Sequence, residues 1–180
     1  MTFEEKTLSS ERIYEGTILN LRKDKVLVAG GKTSYREIVE HRGGVALAAV
    51  TDDKKMVLVR QFRKAAGKVI LEVPAGKIES GEKEEPRLTA IRELKEETGY
   101  TASKIEHITS FYSSVGYSEE VIHLYCATGL VPGETEFDAH EALDIVEYDI
   151  AELKQMVLDG KIEDAKTIAA IMIVAVKEGI

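Results

Sequence analysis

With 180 residues, 44% hydrophobic and 31% charged, the chain has the make-up of a globular protein with one good core and room for a small appendage. Its net charge of −8 leaves no basic face for general binding to nucleic acid or membrane surfaces. A single cysteine, Cys126, sits in an apolar run; it cannot form a disulfide framework and reads as a buried, reduced thiol in a cytoplasmic protein. The polar, acidic opening MTFEEKTLSSER does not read as a signal peptide. The longest apolar run, residues 168–176, is too short to span a bilayer and fits a packed helix.

In chain order, residues 12–16, 18–22 and 25–29 alternate like short strands, Gly30-Gly31 turns the chain, and residues 34–40 return as another strand. A meander this small buries little and needs something to lie on. Residues 42–44 (Arg-Gly-Gly) mark a boundary, dividing the chain into an N-terminal β subdomain, 1–41, and a main domain, 42–180. Residues 45–50 form a continuous apolar run, the pattern of a strand buried on both faces. Asp52-Asp53 turns it, and residues 55–62 and 69–74 give the next two strands. Strands follow at 104–112, 120–127 and 142–148, then helices at 149–159 and 164–178, with Gly160 closing the first of these. Strands mixed with a central and a terminal helix predict an α/β fold, a mixed sheet between helical layers.

The central helix belongs to the most informative stretch, residues 71–100, LEVPAGKIESGEKEEPRLTAIRELKEETGY. Pro86 suits a first helical turn and Gly99 the position just past the end. Leu88, Ile91 and Leu94 recur at helical spacing as an apolar face, which puts Glu93, Glu96 and Glu97 on the other side. Three carboxylates on one patch repel unless a cation sits among them. Hard divalent ions with oxygen ligands meet that need, and Mg²⁺ commonly recruits a substrate phosphate as well. For a lone pair of glutamates one turn apart, a solvated acidic face is the commoner explanation.

The wording around those acids is far more specific. Gly76, Glu84 and the run Arg92-Glu93-Leu94-Lys95-Glu96-Glu97-Thr98-Gly99-Tyr100 resemble the Nudix hydrolase box. The usual spacing from Gly76 lands on Glu82, whereas counting back from Arg92 lands on Glu84. Helix spacing is stiffer than loop spacing, so Glu84 is taken as the box glutamate and the loop as two residues longer. The resemblance implies a Nudix-type α/β/α sandwich and metal-dependent cleavage of a pyrophosphate. It also implies roles: Glu93, Glu96 and Glu97 with the carbonyl of Ala75 as the metal site, and Arg92 pairing with Glu84 to orient the cluster. The metal would be Mg²⁺, with Mn²⁺ as an alternative.

Outside the box, residues 59–63 (VRQFR), 71–79, 111–120 (FYSSVGYSEE) and 161–167 (KIEDAKT) are similar to the ADP-ribose pyrophosphatase subgroup. That similarity implies hydrolysis of ADP-ribose to AMP and ribose 5-phosphate, with Arg63 gripping a phosphate. It also implies Arg60, Arg42 and Gly116 as further substrate-binding residues and Glu141 as the catalytic base, although an acidic loop of this kind equally fits a solvated connector. It further implies a homodimer in which the N-terminal subdomain packs on the partner, with Tyr14 or Tyr35 available to stack on adenine. The subgroup usually carries Pro where this chain has Val115, so other nucleoside diphosphate sugars stay open as substrates. A non-catalytic ligand sensor of the same fold is the rival from another class, and retention of Glu93, Glu96 and Glu97 argues against it. The four histidines share no metal-ligand spacing, and His123 reads as a sheet-face residue.

Overall fold

The computed structural model describes residues 3–79, 85–136 and 142–180. Two compact units emerge: Met1–Gly43 with Tyr112–Val121, and Gly44–Phe111 with Ile122–Ile180.

In the first unit, β1 (Lys6–Glu15), β2 (Asn20–Val28) and β3 (Lys32–Glu40) form an antiparallel meander in that order. Gly30 and Gly31 both take positive φ, 83° and 74°, the backbone that lets a tight turn join strands of native twist. The two strands expected at 18–22 and 25–29 are one. Residues 23 and 24, between the two expected strands, continue the ladder: Lys23 lies opposite Glu11 and Glu37, and Asp24 opposite Ser10 and Arg36. Opposite charges directly across a ladder support it, and Arg22 Nε adds a 3.2 Å hydrogen bond to Asp24. Residues 112–121 join the unit through the backbone, Val39 N–H donating to Tyr117 O at 2.7 Å and Glu119 N–H to Val39 O at 3.0 Å. Arg22 Nη2 reaches Glu119 at 2.7 Å. Apolar side chains stay outside: Leu8, Ile13, Tyr14, Ile18 and Tyr35 are all exposed.

The second unit is a sheet ordered β10-β5-β4-β9-β8, comprising β4 (Gly44–Val50), β5 (Lys55–Arg63), β8 (Thr101–Tyr112), β9 (Val121–Val131) and β10 (Leu143–Asp149). Two short strands, β6 (Lys68–Glu72) on β5 and β7 (Ala75–Lys77) on β4, complete it. The sheet is mixed, β4 running parallel to β9 and antiparallel to β5. Every residue of β4 is buried, as its unbroken apolar run predicts. Alternate side chains serve two cores. Ala46, Ala48 and Val50 meet Leu58, Leu124, Leu153 and Ile171, on the side of α2 (Ile150–Leu158) and α3 (Ala165–Glu178). Val45, Leu47 and Ala49 meet Ala90, Leu94 and Tyr125, on the side of α1 (Pro86–Thr98). Truncating such enclosed leucines costs typically about 2–5 kcal/mol each, whereas an exposed ion pair is worth at most about 1 kcal/mol, so these cores hold the unit.

The strand expected over 69–74 ends at Glu72 as β6, and a separate short strand, β7, follows Val73-Pro74; Pro lacks the N–H that a continuous ladder needs. α1 begins with Pro86 and ends on Gly99 at φ 72°, whose N–H donates to Lys95 O. Its inward face is not the expected one. Ala90 and Leu94 are buried with Thr89 and Glu97, while Leu88 and Ile91 are 50% and 40% exposed. A narrow stripe of small residues lets the helix lie close to the sheet, and Glu97, expected on the solvent side, is drawn in by a backbone partner described below. No helix among the described residues is long and apolar enough to cross a membrane.

Candidate active site

The site is built on residues 72–76, where the chain passes from β6 to β7 and each backbone step is fastened. Val73 N–H donates to Thr167 Oγ1 at 2.9 Å. Pro74 O accepts from Leu47 N–H at 2.9 Å, and Ala75 N–H donates to Glu97 Oε2 at 3.0 Å. That last bond explains why a carboxylate is only 4% exposed inside the apolar stripe of α1: a charged acceptor makes a strong bond to an otherwise unpaired strand N–H.

Glu93, one helical turn before Glu97, faces Gly76. A Cβ on Gly76 would lie 1.8 Å from Glu93 Oε1, so only glycine leaves the carboxylate its place against the strand. Arg92 Nη1 bridges Glu93 at 3.0 Å and Glu96 at 2.7 Å. The helix thereby brings Arg92, Glu93 and Glu96 into one ionic group, with Glu97, one turn past Glu93, bound to the strand.

At the other end of the fastened segment, Glu72 grips Arg63 with two parallel bonds, from Nε at 2.6 Å and Nη2 at 2.8 Å. Lys166 Nζ approaches the same carboxylate at 2.6 Å. Glu72 raises the Arg63 pKa further, against the opposing effect of burial, and the charges of Glu97 and Asp164 add to it. Arg60 is exposed on β5, opposite Asp144. Arg42 and Gly116 belong to the first unit and are also exposed. Glu82, Glu84 and Glu141 lie outside the described residues.

Neither Glu72 nor Lys166 was singled out from the sequence. The available signal was a lone acid in the run Val69-Ile70-Leu71-Glu72-Val73, since an acid on a buried strand requires a cation. A second unforeseen feature is the docking of residues 133–136 on the last turn of α1. Glu136 N–H donates to Glu96 O at 3.1 Å, Lys95 pairs with Glu136, and a Cβ on Gly99 would lie 2.7 Å from Gly133 O. His123 has the sheet-face environment expected of it: its Nδ1 lies 2.8 Å from Ser110 Oγ, which lies 2.8 Å from His107 Nε2.

Among the described residues, no three His, Cys, Asp or Glu side chains converge tightly enough to enclose a metal ion. The donor chemistry nonetheless suits a hard divalent cation. Glu93 and Glu97, one turn apart on α1, bring anionic oxygens to neighbouring residues of β7, Gly76 and Ala75, and Mg²⁺ typically takes one or two carboxylates, completing its shell with water and phosphate.

The NUDIX domain matches residues 40–171, and the nucleoside diphosphate sugar hydrolase N-terminal domain matches residues 5–39. A methanol dehydrogenase activator of Bacillus methanolicus is 43% identical over 99% of this chain and 96% of its own. An ADP-ribose pyrophosphatase of Bacillus subtilis (strain 168) is 42% identical over 99% of this chain and 97% of its own. Among solved structures, an ADP compounds hydrolase superposes with a TM-score of 0.82 over 95% of this chain and 92% of that one. At 22% identity, that likeness is one of fold.

Proposed function

Because the chain belongs to the Nudix family of hydrolases, we propose that it hydrolyses ADP-ribose at the pyrophosphate, water and ADP-ribose giving AMP and ribose 5-phosphate. The observation that carries this reading is the Arg63 fork, clamped by Glu72 yet 43% exposed. A planar, permanently charged fork suits a phosphate. Glu93, Glu96 and Glu97, with the Ala75 carbonyl, hold Mg²⁺ in this reading, or Mn²⁺ in its place. The bound ion would neutralise charge on the phosphate oxygens and lower the pKa of a water ligand. Arg92 keeps Glu93 and Glu96 oriented, Arg63 aligns the diphosphate with help from Arg60, and Glu141 accepts the proton of the attacking water.

The test is a screen of nucleoside diphosphate compounds with Mg²⁺, products resolved by chromatography. ADP-ribose is expected to yield AMP and ribose 5-phosphate faster than other compounds react. Arg63→Ala is expected to raise KM for ADP-ribose by about tenfold or more while lowering kcat less, the mark of lost uniform binding. An unchanged KM returns Arg63 to a plain ion pair. A second reading, cleavage of other nucleoside diphosphate sugars, draws support from Val115 and from the N-terminal domain match; a clear preference for such sugars in the screen would establish it.

The same reading includes a homodimer. The meander's exposed Leu8, Ile13, Tyr14, Ile18 and Tyr35 make a surface of the kind that a partner covers, and a three-stranded sheet with so little buried is weak alone. Residues 8–41 form the interface, and deleting the first 41 residues is expected to give a monomeric or aggregating, inactive protein. Light scattering that finds a monomer at micromolar concentration, with full activity, would refute this.

A further inference from the structure

Glu72 is only 3% exposed and is bound by two cations, Arg63 and Lys166. Lys166, 15% exposed, also reaches Asp164 at 3.0 Å. Asp164 caps α3, accepting from Thr167 N–H at 3.0 Å and from Thr167 Oγ1–H at 2.6 Å, and Thr167 Oγ1 accepts in turn from Val73 N–H. The links run from Glu72 through Lys166, Asp164 and Thr167 back to Val73, the neighbour of Glu72, and Arg63 hangs from this ring on Glu72. Two cations and two anions balance, so no net charge is enclosed.

Such buried ionic groups give little net stability over apolar replacements of the same shape, so stability is a poor explanation for this one. Geometry is a better one. Arg has five N–H donors in one plane. The Glu72 clamp occupies Nε and one hydrogen of Nη2, which turns the Nη1 edge away from the carboxylate. Burial would push the Glu72 carboxyl up, but Arg63 and Lys166 together hold it below the usual carboxylate range, so the clamp is ionised at neutral pH. Lys166 also offsets Asp164; without it the group carries one excess negative charge, which opposes an anionic ligand.

We infer that Glu72 and Lys166 are positioning residues that lock Arg63 with its outer edge aligned for a phosphate of the substrate. The inference rests on the proposed function in taking that substrate to be a nucleoside diphosphate.

The experiment measures affinity for ADP-ribose with a methylene in place of the bridging oxygen, by calorimetry in Mg²⁺ buffer, alongside KM and kcat for ADP-ribose. The variants are Lys166→Met, Lys166→Arg, Arg63→Ala and the double variant Arg63→Ala with Lys166→Met. Lys166→Met is expected to weaken binding about tenfold with a smaller fall in kcat, and Lys166→Arg to recover most of it. The double variant is expected to bind no worse than Arg63→Ala alone, because an effect carried through Arg63 cannot be lost twice. Unchanged affinity in Lys166→Met, or additive losses in the double variant, overturns the inference while leaving the phosphate role of Arg63 intact. Unchanged affinity in Arg63→Ala overturns that role, and the inference with it. Should Lys166→Met not fold, Lys166→Gln, which removes the charge beside Glu72 and keeps a polar side chain, carries the same comparisons.

Discussion

Glu97→Gln is expected to lower turnover at least about a hundredfold at saturating Mg²⁺, with little change in melting temperature. The substitution keeps the length of the side chain and the oxygen that accepts from Ala75 N–H, so the bond joining α1 to the strand has a partner in both proteins. What it removes is a negative charge at a site only 4% exposed, where water cannot replace it. Loss of a charged ligand acts on the step that needs metal-borne charge, whereas loss of a structural bond would act on stability. Activity near that of the wild-type protein would return Glu97 to a purely architectural role and sink the metal assignment. A large fall in melting temperature with proportionate loss of activity would do the same.

The duality of Glu97 marks the limit of what could be read from the sequence. Helical periodicity placed Leu88, Ile91 and Leu94 on one face and the three acids on the other, yet the buried stripe takes in Leu94 and Glu97 together. Periodicity weighs side chains by polarity and is blind to a strand N–H that needs an acceptor. The break expected at Lys23-Asp24 failed for a related reason: its compensation lies in Glu11, Glu37 and Arg36 on neighbouring strands, far away in the chain. Local signals carried well. The run 45–50 is a strand buried on both faces, Pro86 and Gly99 bound α1, and positive φ at Gly30, Gly31 and Gly160 fits the turns and helix end assigned to them. The site divides along the same line. The ion pairs of Arg92 with Glu93 and Glu96 lie within one helix, where spacing along the chain brings side chains together. The grip of Glu72 on Arg63 and Lys166 was not legible, because it joins β5, β6 and α3.

Gly76→Ala is expected to leave the fold nearly intact and to lower kcat by about a hundredfold, the usual scale for misplacing a catalytic group by about an ångström. Gly76 lies on β7 opposite Val45 and is not among the glycines of positive φ, so its backbone accepts an alanine. The obstacle is the side chain across from it: the new Cβ would lie 1.8 Å from Glu93 Oε1 and 1.9 Å from Glu93 Cδ. Both atoms are at the end of a flexible side chain, which swings aside far more cheaply than the strand moves, and that movement takes the carboxylate from the strand and from its 3.0 Å contact with Arg92. The variant therefore tests the position of Glu93 without removing any charge from the site. Melting curves and ADP-ribose turnover, measured on the same preparation over a range of Mg²⁺ concentration, decide it. Undiminished kcat at every concentration would mean that the place of Glu93 against the strand has no part in catalysis. Loss of the folded state would mean that the 72–76 segment cannot yield at all, and the carboxylate's position would then be a matter of packing.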